Sequence, residues 1–301
     1  NTNVQGNVVI GNALTAQSIN TNVSNVASRY STQPTPQIVA VGTGTNTMAY
    51  SFQGTSGTWY NNTASPFNTS GNTVAYNGFI WVAGGVGGNT LAFSPTGKLD
   101  WVGLGSTVFN TGTYGVEWGG NLWVAAGAGG NTLAYSTNGM LWVGLGSSIF
   151  STTGMDVVYG GNLWIALGAG TNTLAYSWLG TTWFGLGTSI FSIQGTFASW
   201  NGRMWVATGQ GTNTMAYSTN GFTWIGLGSI TFSTIGTGVD YNGTMWVATG
   251  QGGNTLAYSY DGMNWTGIGS YTFTTWATDV TWTGNFWLAS GQGGNTLASS
   301  P

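Results

Sequence analysis

Residues 246–259 read WVATGQGGNTLAYS, and recognisable versions of this stretch occur seven times along the 301-residue chain. The Asn-Thr pair inside it marks each copy, at Asn46, Asn89, Asn131, Asn172, Asn213, Asn254 and Asn295. Successive marks lie 43, 42, 41, 41, 41 and 41 residues apart, while much of the intervening sequence varies freely. A fixed period of this length means that each repeat is one supersecondary unit, unable to bury its apolar face without its neighbours.

Around the mark, the unit at 238–269 contains four short runs rich in Val, Trp, Tyr, Leu and Thr, at 239–241, 245–249, 255–259 and 264–269. Runs of this length and composition are strands. The first and second are joined by Asn-Gly or Gly-Gly (Asn77-Gly78, Gly119-Gly120, Gly160-Gly161, Asn201-Gly202, Asn242-Gly243), which accept the positive φ of tight hairpins. The third and fourth turn at Asn138-Gly139, Asn220-Gly221 and Asp261-Gly262. No segment has helical periodicity. Four strands in a repeat of about 40 residues predict a β-propeller blade. Only the connection from a fourth strand to the next first strand is long, as in GSSIFSTTG at 146–154. Its repeated Phe (Phe109, Phe150, Phe191, Phe232, Phe273) is expected to wedge between blades.

The repeats begin at a second strand (37–41) and end at a third (296–300), so one first and one fourth strand must come from the N-terminus. Residues 8–30, VVIGNALTAQSINTNVSNVASRY, supply both, with Val9-Ile10-Gly11 as the fourth strand, Ser18-Ile19 on the crossing and 26–30 as the first strand. The expected fold is all-β: a seven-bladed β-propeller with four-stranded blades, its ring closed by an N-terminal strand completing the last blade and covering a sheet edge. It forms one structural domain, 1–301, with 1–36 as the closing segment and 37–301 as the propeller repeats; extra residues around 31–37, with Pro34 and Pro36, lengthen the first turn from a first to a second strand. The alternative closure donates the same strand to another copy and strings propellers into a chain. The Asn-Thr-Asn start, with neither Met nor a signal-type region, is that expected of a processed chain or a fragment.

Charged residues make up 3% of the chain, against roughly 25% in ordinary soluble domains. Arg29, Lys98 and Arg203 are the only cations, too few to neutralise a phosphate backbone, so no nucleic-acid partner is expected. Without Cys or His there is no disulfide, no Cys/His metal cluster and no Ser-His or Cys-His nucleophile. No cofactor is expected. Every apolar run falls far short of the roughly 20 residues of a membrane helix, so no membrane insertion is expected.

Candidate sites follow from position in the repeat. Glu117, Asp240 and Arg29 each precede the aromatic of a first strand and are candidates for a polar ring in the central channel, with Asp156 and Asp279 three positions before that aromatic. Glycoside hydrolysis needs two carboxylates across one bond, and these columns differ, so no catalytic residue is assigned. Trp81, Trp123, Trp164, Trp205, Trp246 and Trp287 recur at one blade position and are read as packing. The unrepeated Trp178 and Trp276, with Gln210, Gln251 and Gln292 beside Gly-rich loops, are the candidate ligand-binding loop face. The repeated Asn-Thr is read as a turn cap bonded to loop backbone. Asn22, Asn61, Asn68, Asn242 and Asn264 head N-glycosylation sequons.

The run STNGMLW at 136–142, with its counterparts at 218–224 and 259–265, resembles the Asp-box (BNR) hairpin of sialidase-like and other propellers, although Asn usually replaces the acid and only Asp261 keeps it. That resemblance implies a structural turn on the face away from an active site. The arginine cluster of sialidases is not matched, because the chain has only Arg29 and Arg203. The repeat WVAxGxGxNTLAYSxxGxxWxGLGxxxF, over 37–301, resembles propeller repeats in large structural proteins of giant viruses infecting marine algae, which implies a virion-surface or fibre component. Together these readings lead to the expectation of a non-catalytic structural or adhesion module, extracellular or on a virion surface. Its expected partners are other copies of itself, by strand donation, or virion proteins. The alternative is a multivalent glycan-binding lectin using inter-blade pockets.

Overall fold

A computed structural model describes residues 21–29, 37–52 and 59–301. The expected closing strand at Val9-Ile10-Gly11, the crossing at Ser18-Ile19, and Tyr30, Pro34 and Pro36 lie outside the described residues.

The described chain is all-β, a succession of antiparallel meanders. The first contains β1 (Thr21–Arg29), β2 (Gln37–Gly44), β3 (Met48–Ser51) and β4 (Tyr60–Asn61). The next has β5 (Ser70–Tyr76), β6 (Trp81–Val86), β7 (Leu91–Ser94) and β8 (Val102–Gly103). It is followed by β9 (Gly112–Trp118), β10 (Trp123–Ala128), β11 (Leu133–Ser136) and β12 (Val143–Gly144). Then come β13 (Thr153–Gly160), β14 (Leu163–Ala169), β15 (Leu174–Ser177) and β16 (Phe184–Gly185). After these are β17 (Gln194–Trp200), β18 (Trp205–Gln210), β19 (Met215–Ser218) and β20 (Ile225–Gly226). The pattern repeats in β21 (Ile235–Tyr241), β22 (Trp246–Gln251), β23 (Leu256–Ser259) and β24 (Thr266–Gly267). The last described strands are β25 (Trp276–Trp282), β26 (Trp287–Gln292) and β27 (Leu297–Ser300).

In each meander the first strand pairs the second, the second the third and, where a fourth is described, the third pairs the fourth. In β21–β24 the register runs Tyr241↔Trp246, Trp246↔Ser259 and Tyr258↔Thr266. Single bridges, such as Ala128↔Thr153 and Ala169↔Gln194, link some neighbouring meanders. The first hairpin turns as the sequence requires: Gly78, Gly120, Gly202 and Gly243 have φ of 97°, 93°, 95° and 96°, a region that favours glycine.

The core lies between meanders. Phe109, Phe150, Phe191, Phe232 and Phe273 on the crossings are completely buried. Phe150 packs against Leu122, Val124 and Leu133 of one meander and Val157 and Trp164 of the next. This is the expected wedge, and each such ring contributes roughly 1.5–3 kcal/mol by leaving water. The second-strand tryptophans Trp81, Trp123, Trp164, Trp205 and Trp246 are at most 2% exposed, which makes them packing elements. First strands lie beside one another in succession, and β1 lies beside both β5 and β25. There the first and last meanders share one cluster, in which Ile38, Ala40 and Trp59 pack on Phe286, Leu288 and Leu297.

The Asn-Thr mark couples the meanders. Asn131 donates its Nδ2 to Val108 O on the incoming crossing (2.7 Å) and accepts Gly146 N–H on the outgoing one (2.8 Å). Thr132 donates its hydroxyl to Phe150 O, 2.9 Å away. The same bonds recur at Asn172-Thr173, Asn213-Thr214 and Asn254-Thr255. The mark is thus the turn cap expected from the sequence, with an added role: one side chain fixes two successive crossings. Gly103, Gly144, Gly185, Gly226 and Gly267 are dictated by that Asn, since a Cβ on Gly144, for example, would come within 2.2 Å of Asn131 Oδ1.

Candidate functional site: the central cavity

The first strands carry the features that build a site. Each described first strand after β1 has a β-bulge, so that one residue is left without a partner on the second strand. The extra residue is Asn72, Tyr114, Met155, Thr196, Thr237 and Thr278 in successive meanders. All six line one cavity of about 500 Å³ at the end of the strands that carries the Asn-Thr loops and the crossings. Gln194, Ile235 and Trp276, the opening residues of β17, β21 and β25, line it too, with Phe197, Asp279 and Gln292. The bulge re-aims a side chain that regular alternation would place elsewhere, and does so at the same height in every meander.

Polar side chains on these strands bridge neighbours whose backbones are not paired to each other. Asn72 Nδ2 donates to Thr113 O (3.0 Å), and Thr73 Oγ1 accepts Val116 N–H (3.2 Å). Thr196 donates to Gly236 O (2.6 Å) and Thr237 to Ala277 O (2.7 Å). Inner-edge backbone groups need partners as buried polar groups do, and here side chains provide them.

Two carboxylates do the same. Asp156, buried, accepts Ala198 N–H through Oδ2 at 3.3 Å. Its burial raises the pKa from 3.8 to about 8 against the opposing N–H bonds of Val157 and Ala198, with nearby Glu117 adding to the rise. Asp240 accepts Trp282 N–H (2.7 Å) and Tyr241 N–H (2.8 Å), and Ser199 donates to it from the preceding meander (3.4 Å). Asp240 therefore holds three first strands in line. Glu117 is half-buried on β9, opposite Val124. Arg29 pairs with Gln37 and Ser28 with Ile38, the position that Trp246 occupies opposite Tyr241. Ala27, not Arg29, therefore has the place of Asp240, and the expected column of Arg29, Glu117 and Asp240 is out of register by two residues at Arg29. The sequence placed the strand at 26–30; it spans 21–29, and its pairing with β2 puts Ser28, not Tyr30, opposite Ile38.

The expected loop face is divided. Trp276 and Gln292 face each other in register at the cavity rim. Gln210 accepts a bond from Gln194 Nε2 at 3.3 Å, and Gln251 pairs with Ile235, so both flank the rim. Trp178 is at the other end of the strands. It follows Ser177, which pairs with Trp164, and its ring lies 5.4 Å from that of Phe222. The turns there satisfy themselves: Gly139 N–H donates to Ser136 Oγ (2.9 Å), Met140 and Leu141 N–H donate to Asn138 Oδ1 (2.9 Å each), and Trp142 Nε1 donates to Gly139 O (3.1 Å). In the equivalent turn, N–H groups of Asn264 and Met263 hold the Asp261 carboxyl below the usual range.

Of the sequons, Asn68 and Asn264 are exposed, Asn61 and Asn242 are half-buried, and Asn22 is on β1. Asn242 accepts Thr244 and Met245 N–H and Asn264 donates to Asp261 within local turns, while Asn68 accepts Gly88 N–H from a loop 20 residues on. Among the described residues no group of three or more His, Cys, Asp or Glu could hold a metal ion.

Sequence reasoning missed the bulge row. Counted from the Asn-Thr marks, this column reads Asn, Tyr, Met, Thr, Thr, Thr, and the column after it varies as much (Thr73, Gly115, Asp156, Phe197, Gly238, Asp279), so only strand pairing singles it out.

No protein-family model and no curated protein sequence matches the chain. Solved structures do. A catalytically inactive virginiamycin B lyase from Staphylococcus aureus, crystallised with quinupristin, superposes with a TM-score of 0.75 at 10% identity, over 90% of this chain and 92% of that one. The WD40 β-propeller domain of Doa1 gives 0.65 at 8% identity, over 93% and 96%. YCF48 from Cyanidioschyzon merolae gives 0.61 at 16% identity, over 92% and 94%. These likenesses establish a propeller-like repeat fold. At such identities they carry no function, and an enzyme stands among them.

Proposed function

We propose that the chain is a non-catalytic structural or adhesion module of an extracellular or virion-surface fibre or array, built as a rigid seven-bladed ring of four-stranded blades with Asp-box-like outer turns. The observation that carries this reading is the distribution of side-chain chemistry. Polar groups inside the ring are bonded to the backbone of neighbouring meanders, while large apolar side chains project from both ends. Ile230 and Tyr271 on the crossings are 92% and 91% exposed, and Phe79 and Leu141 on the opposite turns are 84% and 76% exposed. On a surface with almost no charge, such tips favour contacts with other copies of the chain or with virion proteins, since apolar patches mark association sites.

Closure of the ring belongs to the same reading. β27 pairs only with β26 among the described strands, and the groove beside it, about 380 Å³, is lined by Met245, Val247, Leu256, Tyr258, Ile268 and Ala298. In the preceding interface, Met204, Val206 and Tyr217 pack with Trp265 of the following fourth strand. The occupant proposed for the groove is the N-terminal segment of the same chain, because β1 lies beside β25 and each other first strand follows a fourth strand of the preceding meander.

Analytical ultracentrifugation of the full chain and of a variant lacking residues 1–20 tests both points. Concentration-dependent assembly of the full chain, weakened by Ile230→Ser with Tyr271→Ser, supports the array; a monomer at millimolar concentration overturns it. A destabilised monomeric truncation supports closure within one chain. Open-ended oligomers of the full chain that vanish on truncation would show strand donation between copies and overturn that closure.

A further inference from the structure

We propose that the central cavity is a binding site for a neutral saccharide, held by the aromatic faces of Trp276 and Tyr114 and by the amides of Gln194 and Gln292. It gives the adhesion part of the proposed function a ligand class and a place, and rests on that reading.

The cavity volume of about 500 Å³ falls in the range of small-molecule sites, which pair apolar and aromatic walls with a few fixed polar groups. Its wall has that composition. Trp276 is half-exposed at the mouth, and Tyr114 belongs to a meander separated from it by β5 and β1 on one side and by β13, β17 and β21 on the other. An aromatic face carries partial negative charge and attracts the C–H edges of a sugar ring, whose opposite edge remains free for hydrogen bonding.

The polar groups are matched to hydroxyls. Thr196 and Thr237 are bonded within the wall, to Gly236 O and Ala277 O and to the hydroxyls of Thr208 (2.9 Å) and Thr249 (3.0 Å), which fixes two hydroxyl oxygens at the cavity surface. Gln194 and Gln292 add amides that both donate and accept. A sugar hydroxyl, donor and acceptor at once, answers both kinds of group. A charged ligand does not: among the described residues the lining contains no Lys or Arg to face an anion, and Asp279 is the single carboxylate, 7% exposed. The variable side chains Asn72, Tyr114 and Met155 on one arc and threonines on the other make the site asymmetric, which suits one ligand per ring rather than one per repeat.

The test is a glycan array carrying neutral and acidic glycans, probed with the full chain, followed by titration of the best neutral oligosaccharide against intrinsic tryptophan fluorescence. Trp276→Ala is expected to weaken binding about tenfold or more, consistent with loss of a stacking face, with Trp276→Phe retaining most of it and the remote Trp178→Ala none of the loss. Thermal melts of all three variants establish that they are folded. Absence of any neutral binder, exclusive binding of acidic glycans, or equal effects of Trp276→Ala and Trp178→Ala overturns the proposal. Sedimentation on the same samples separates the two readings: a chain that assembles without binding sugar refutes the cavity site alone, and a monomer that binds sugar refutes the array alone.

Discussion

Asp156 gives the sharpest test of the physical account, because its burial couples folding to pH in an unusual direction. The folded-state pKa is about 8, against 3.8 for an ordinary aspartate, with burial as the main cause. Between those values the folded protein holds a proton that the unfolded chain has released. Stability is therefore fully present below about pH 4 for this group and is lost as pH rises through 8. The slope is about 1.4 kcal/mol per pH unit for one proton. Even half of that range removes a sizeable part of a typical stability of roughly 5–15 kcal/mol. Asp261 and Asp100 are shifted downward, so the stability they contribute is already complete above the ordinary carboxylate range and adds no slope there. Asp156→Asn keeps the volume and an oxygen to accept Ala198 N–H but cannot titrate. Urea unfolding at each pH from 5 to 9 should show the parent chain losing stability steadily until about pH 8 and the variant nearly flat. Parallel curves for the two proteins, or stability rising with pH in the parent, would refute the assignment.

Three further outcomes follow from the packing. Asn213→Ala removes the bonds to Ile190 O and from Gly228 N–H and should cost about 2–3 kcal/mol in urea unfolding, at roughly 1 kcal/mol per bond plus the unsatisfied backbone groups; a loss below half a kcal/mol would mean the crossings are held by packing alone. Phe191→Ala empties a fully buried wedge between two meanders and should cost about 3–5 kcal/mol, lowering the melting temperature without changing the strand signature in far-UV circular dichroism. With 3% charged residues, the melting temperature should move little between 50 mM and 1 M sodium chloride, because there are few surface charges to screen; a steep salt dependence would contradict the hydrogen-bonded, uncharged account of the ring.

The period of the Asn-Thr mark and the glycine turns was enough to read an all-β repeat of hairpins, because both signals are local: strand length and turn φ are set within a single repeat. The wedge role of Phe150 was legible because a Phe recurs at the same place on the long crossings. The mark's function as a bridge between two crossings was only half legible, since Asn131 reaches Val108 and Gly146 through the tertiary fold. The site lay further from view. Asn72, Tyr114, Met155, Thr196, Thr237 and Thr278 stand about 41 residues apart and meet only when the first strands gather. Their direction depends on a bulge, one extra residue whose place comes from strand pairing. The pairing of β1 with β2, Ser28 opposite Ile38, likewise moves Arg29 out of the column that spacing alone assigned to it, because a shift of register changes which side chain occupies each position. Sequence periodicity thus determined the repeating unit and its internal turns; the cavity and the members of its wall were decided by how the units pair and gather, which no single repeat encodes.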